Sequence, residues 1–130
     1  IFILAAMGVA ALSNYRRSAT IEEGRDKILA ELTEARAKTL GSEANAAYGV
    51  HFEETRIVMF KGAAYSPSDP DNRETKLPPG VTITAIALGG GADIIFERLT
   101  GRALAYGTVT LTAAAPGSAT ITIYSSGTFE

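Results

Sequence analysis

Residues 1–18, IFILAAMGVAALSNYRRS, begin with twelve uncharged, apolar or small positions and end just after two adjacent arginines, Arg16 and Arg17. As an α-helix those twelve would reach about 18 Å at ~1.5 Å per residue, whereas a bilayer core takes about 20 apolar residues. Alone the stretch is too short to cross. A secretory signal has an apolar region of similar length, but it would be followed by a small-residue cleavage site and a fresh mature start. This one runs into a helix-compatible sequence instead, and what that helix does sets the fold.

Across residues 20–40, Ile21, Ile28, Leu32, Ala35 and Leu40 recur at helical spacing, with Leu29 widening the apolar stripe. The other face carries Glu23 before Lys27 and Glu34 before Lys38, four apart and in the favourable order. Thr20 with Glu23 fits a capping box, so the helix either restarts there or runs unbroken from Ile1 to about Leu40. The second reading is preferred, with a weak point around residues 12–18 and Gly41 as the stop.

Beyond Gly41 the period changes from helical to alternating. Residues 47–52 and 56–61 read as strands joined by a turn at 53–55, and residues 65–76, YSPSDPDNRETK, as a polar loop whose prolines stop any strand. Residues 81–88, VTITAIAL, then turn at Gly89-Gly90-Gly91 into a returning strand over 92–97. Residues 107–113 and 119–124 flank Pro116-Gly117 as a last hairpin, threonines on one face and Val, Leu or Ile on the other. The expected fold class is α+β, a long N-terminal α-helix packed on a C-terminal antiparallel sheet of about six strands. The expected organisation is a helix over 1–41, with an apolar segment 1–17 and an amphipathic half 18–41, then a β-rich head over 42–130.

The composition excludes several functions. At 130 residues and a net charge of −2, with twelve Lys/Arg and fourteen Asp/Glu, there is no basic field for nucleic acid. Cysteine is absent, which removes disulfides, thiolate metal sites and thiol catalysis. There is no Asn-x-Ser/Thr sequon. No convergent catalytic set is present, so no enzyme activity is expected.

Nothing in the expected architecture covers the first fifteen residues. An apolar helix projecting from a small sheet domain has to be buried in lipid or against copies of itself. The small residues Ala5, Ala6, Gly8, Ala10 and Ala11 allow close helix approach, and Ile1, Phe2, Ile3, Leu4, Met7, Val9 and Leu12 supply apolar area.

Taken together, ILAAMGVAALSNYRR (3–17), ILAELTEARAKTLGSEA (28–44) and a C-terminal β-domain resemble the type IV pilins and the pseudopilins of type II secretion. More narrowly, EARAKTLGSEANAAYGVHFE (34–53), IIFERLTGRALAYGTVTL (94–111) and ATITIYSSGTFE (119–130) are similar to the H-type minor pseudopilins. The resemblance implies a structural subunit without cofactor, held by its helix in the cytoplasmic membrane and then assembled into a helical homo-oligomeric filament at the cell surface. Its partners would be other pilins and the assembly machinery, with no specific nucleic acid. The alternative is a minor or tip-located subunit that binds a secretion substrate, a surface or DNA. The family places a glutamate near its mature terminus, and here none precedes Glu22. That departure leads us to expect about six to nine residues upstream, closer to the span length, or a shortened helix. If Asn14-Tyr15-Arg16 matches the family's Pro-x-Tyr, Ser13 stands where the proline would be.

Tyr15, Arg16 and Arg17 would lie at the rim of the buried helix, where the arginines pair with Glu22 or Glu23 of a neighbour or simply face solvent. Ile21, Ile28, Leu32 and Ala35 would pack the helix on the sheet. No metal site is expected, the weak candidate being the oxygen-rich loop Asp69, Asp71, Asn72 and Glu74, which lacks the Gly and the bidentate Glu of an EF-hand. His51, the single histidine, reads as a cross-strand packing residue, and the three glycines 89–91 as a turn rather than a phosphate loop.

Overall fold

The structure, a computed structural model, describes residues 2–42, 45–113 and 117–130, with side chains from residue 20 onward. It is α+β: one helix, α1 (Phe2–Leu40), precedes β1 (Tyr48–Phe52), β2 (Arg56–Lys61), β3 (Arg73–Lys76), β4 (Val81–Ala87), β5 (Asp93–Ile95), β6 (Gly107–Ala113) and β7 (Ser118–Ile123). The strands form two antiparallel sheets, ordered β3-β2-β1-β5 and β4-β6-β7.

Along the described part of α1, Ile21, Gly24, Ile28, Leu32, Ala35 and Thr39 are buried, a stripe at three- and four-residue steps. Ile28, Leu32 and Ala35 share one core with Val50, Phe52, Ile57, Met59, Ile94 and Phe96 of the first sheet. The same core includes Val81, Ile83, Val109, Leu111, Ile121 and Ile123 of the second. Burying a Leu or Ile side chain is worth about 1.5–3 kcal/mol, so α1 draws its stability from the sheets and the sheets from α1. Thr39 sits at the far end of this stripe. Its hydroxyl donates to the Ala35 carbonyl at 2.8 Å and accepts the Tyr48 N–H at 2.9 Å, tying the last helical turn to β1.

Several expectations need correction. Among the described residues, the expected single sheet of about six strands is two sheets with seven strands. The polar loop holds a strand after all: β3 pairs with β2 from Arg56↔Lys76 to Met59↔Arg73, and both prolines of 65–76 lie before it. The glycines 89–91 do not close a hairpin; they carry the chain from β4 in one sheet to β5 in the other. Gly41 donates its N–H to Ala37 at 2.9 Å, but the left-handed residue that turns the chain is Ser42, φ 52°. Because α1 passes through Thr20, the capping-box reading of Thr20 and Glu23 does not hold. The weak point expected at 12–18 falls where side chains are not described.

The remaining expected pairings are present. β1 and β2 form a hairpin with register Tyr48↔Lys61 to Phe52↔Ile57, and β6 and β7 one with register Gly107↔Ile123 to Thr112↔Ser118. Val109, Leu111, Ile121 and Ile123 point inward, with the threonines between them outward. Residues 62–72 fold across the outer face of the first sheet. Tyr65 stacks on His51 with ring centroids 3.8 Å apart and meets Phe60 edge-on at 5.8 Å. Val58 and Phe60 are therefore buried on the side of the sheet away from α1.

The margins of the sheets are tied. On one side the Ile83 N–H donates to Glu54 and the Leu77 N–H to Thr55; on the other the Ala103 N–H donates to Ser125. Thr122 and Glu130 exchange N–H···O bonds of 2.8 and 3.0 Å, laying the last described residues along the free edge of β7. β4 is interrupted by a register shift between Ile83 and Ala85, and β3 is clipped to α1 by Arg73, which reaches Glu31 at 2.9 Å and also pairs with Glu34.

Candidate functional site

Two regions concentrate chemistry: α1 and the outer face of the first sheet. On α1, Ile21, Ile28, Leu32 and Ala35 all lie in the inward stripe, at 6%, 0%, 0% and 0% exposure. Ile1 lies outside the described residues. Phe2, Ile3, Leu4, Met7, Gly8, Val9, Leu12, Tyr15, Arg16 and Arg17 belong to α1, but their side chains are outside those described. Among the described residues no helix is long and apolar enough to cross a membrane. Near the C-terminal end of α1, Thr33, Arg36, Ala37 and Leu40 form one wall of an open cleft of about 360 Å³, with Gly127, Thr128 and Phe129 opposite. Arg36 donates its Nε–H to the Gly101 carbonyl at 3.1 Å. Gly101 and Gly127 have φ of 71° and 92°, and a Cβ on Gly127 would lie 1.9 Å from the Gly101 carbonyl oxygen and 2.9 Å from Arg36 Nε. Only glycine fits there.

On the first sheet, His51 points outward between the buried Val50 and Phe52 and pairs across the strands with Asp93 of β5. Its Nδ1 is 2.5 Å from Asp93 Oδ1 and its Nε2 3.6 Å from Glu53 Oε1. Glu53 continues to Arg56, whose Nη1 reaches Glu74 at 2.7 Å, so a row of polar side chains runs across β5, β1, β2 and β3. The carboxylates flank opposite sides of the imidazole, and the row contains no Ser, Thr, Lys or Cys nucleophile. The arrangement therefore staples strands together. Its signal in the sequence was the outward phase of His51. The partner, 42 positions away, carries none.

The hydrogen bond from Arg56 holds the Glu53 carboxyl below the usual glutamate range, against the opposing effect of its partial burial. Arg73 does the same to Glu34. A carboxylate whose folded pKa is depressed adds stability above its unfolded pKa and loses it as pH falls through the folded value. The melting temperature is therefore expected to hold from neutral pH down to the ordinary glutamate range and to drop below it. Glu53→Gln should make that drop shallower by about one to three degrees, since such exposed pairs contribute little; thermal melts at stepped acidic pH would read it.

The oxygen-rich loop does not converge. Asp69 Oδ1 accepts the Asp71 N–H at 2.9 Å, Asn72 donates to the Ser66 carbonyl at 2.6 Å, and Glu74 is engaged by Arg56. Among the described residues no three His, Asp or Glu side chains gather as a metal-binding group. No family model, curated protein or solved structure matches this chain. Functional inference thus rests on its own geometry and sequence.

Proposed function

We propose that the chain is a filament subunit of the type IV pilin and pseudopilin kind, assembling through the apolar first half of α1. The observation that supports this reading is the division of labour along one helix. From Ile21 to Thr39 one stripe of α1 is consumed by the core of the β domain. The part of α1 before Ile21 carries no Asp, Glu, Lys or Arg as far as Tyr15. At ~1.5 Å per residue that uncharged run, Phe2 to Tyr15, amounts to roughly 21 Å of helix. That run is shorter than the about 20 apolar residues of a full span, but a bundle of copies buries an apolar helix without requiring one. Its alanines and Gly8 suit such packing, because small side chains let helix backbones approach closely.

The reading is tested by purifying the full chain in mild detergent and withdrawing the detergent. The expected outcome is filaments in negative-stain electron micrographs, with this chain as their main band by mass spectrometry. A chain that stays monomeric by sedimentation in plain buffer would overturn it.

A further inference from the structure

The flanks of α1 beside its buried stripe differ in how their charges are satisfied. One is neutralised within the molecule: Glu23 pairs with Lys27 at 3.7 Å, Glu34 with Lys38 at 3.8 Å, and Glu31 and Glu34 with Arg73. On the other, Glu22 and Asp26 sit one helical turn apart, both exposed, and no cation lies within ion-pair distance of either among the described residues. Arg25 falls between them in sequence but is half-buried, on the side of α1 toward the core. Past Asp26 the same line continues through the exposed Ala30, Thr33 and Ala37. It offers two carboxylates and then a shallow run of small side chains.

The complementary features stand at the other end of the domain. Residues 97–102 close into a tight turn in which the Gly101 N–H donates to Glu97 at 2.9 Å and the Glu97 N–H to Arg102 at 2.7 Å. From this turn project Arg98 and Arg102, both exposed and without a carboxylate partner among the described residues. Among the described residues Arg98 bonds the Asn45 side chain, at 2.7 Å. Between the arginines Leu99 is 85% exposed with φ 75°, a left-handed conformation that a leucine adopts at a cost. The turn abuts Arg36 and Leu40, at least ten residues along α1 from Asp26, or about 15 Å and more. It therefore does not meet Glu22 and Asp26 of its own chain.

We propose that the Arg98-Leu99-Arg102 turn of one copy docks on the Glu22, Asp26 and Ala30 line of the next, Leu99 seated against Ala30 with the arginines over the carboxylates. Two different patches of one chain meeting in this way make a heterologous contact, which repeats into an open assembly unless its rotation closes a ring. The contact supplies a component between the head of one subunit and the helix of the next in the filament proposed above and rests on that reading only for its repetition. Charge complementarity selects a second copy as the occupant, and exposed charges make the contact salt-sensitive.

The natural chain has no cysteine, so Ala30→Cys and Leu99→Cys place one thiol each without removing any of the four charges. Mixed under mild oxidation, the two full-length variants in detergent should form the mixed disulfide about tenfold faster than either homodisulfide. The excess should vanish in about 1 M NaCl, where screening is nearly complete. It should vanish when Arg98→Glu and Arg102→Glu are added to one partner, and return when Glu22→Lys and Asp26→Lys are added to the other. No excess of the mixed disulfide, or an excess indifferent to charge reversal, overturns the contact. Filaments without the cross-link leave the filament reading standing and end this one; the cross-link without filaments does the reverse.

Discussion

Gly49→Ala is expected to destabilise the domain by about 3 kcal/mol or more, the upper range for overpacking a filled core. Gly49 lies in β1 opposite Phe60 of β2 and Ile95 of β5. A Cβ there would stand 2.6 Å from the Ile94 carbonyl oxygen and 2.6 Å from Phe60 Cζ. Phe60 cannot swing aside freely, because it is 1% exposed beneath Tyr65; the carbonyl cannot move without disturbing the β1–β5 ladder. The strain therefore falls on the β1–β5 ladder and on the layer under residues 62–72. Urea unfolding would show a lower midpoint with an unchanged slope. As a control, Gly91→Ala has open space around its Cβ and an ordinary φ, and should be close to neutral. A Gly49→Ala protein as stable as the parent would mean that β5 does not lie against β1 as described.

Val9→Asp is expected to abolish assembly while leaving the melting of the β domain within about a degree of the parent. A charge at the centre of an apolar helix costs about 2.5–3.5 kcal/mol on insertion scales, and every subunit of a bundle would bear that cost. Among the described residues the core of the β domain begins at Ile21, and the substitution removes none of those side chains. Sedimentation after detergent withdrawal reads the first effect and circular dichroism the second. Normal filaments from the variant would refute the proposed assembly role of residues 1–17; a collapsed β domain would mean that this half of the helix supports the fold instead.

The stripe of α1 was legible because a helix repeats its face every three or four residues, and Ile21, Ile28, Leu32 and Ala35 announce theirs. So were the β1–β2 and β6–β7 hairpins, in which short turns leave the next strand only one neighbour. Alternation names the face of a strand but not its partner. The run 81–88 and the strand after it were assigned to each other, when Gly89, Gly90 and Gly91 serve equally well to cross between sheets. β3 was missed because Arg73, Glu74 and Lys76 are exposed and charged, which is what an edge strand clipped to a helix looks like. The apolar run from Ile57 to Phe60 carried a hint, since burial on both faces requires a second layer, and the polar residues 62–72 gave no sign of providing one. The pairing of His51 with Asp93 depends on where β5 docks, which no local pattern encodes.

The sealed margins of the sheets acquire a further meaning if many copies are held side by side. With β7 bordered by residues 129 and 130, β3 clasped by Arg73 and β4 broken by an irregular register, little unpaired backbone is presented in a straight row among the described residues. A crowded array of these domains then has few templates for indiscriminate strand addition. Contacts between copies are left to side chains, which can be reversed, and a subunit can leave the array as intact as it entered.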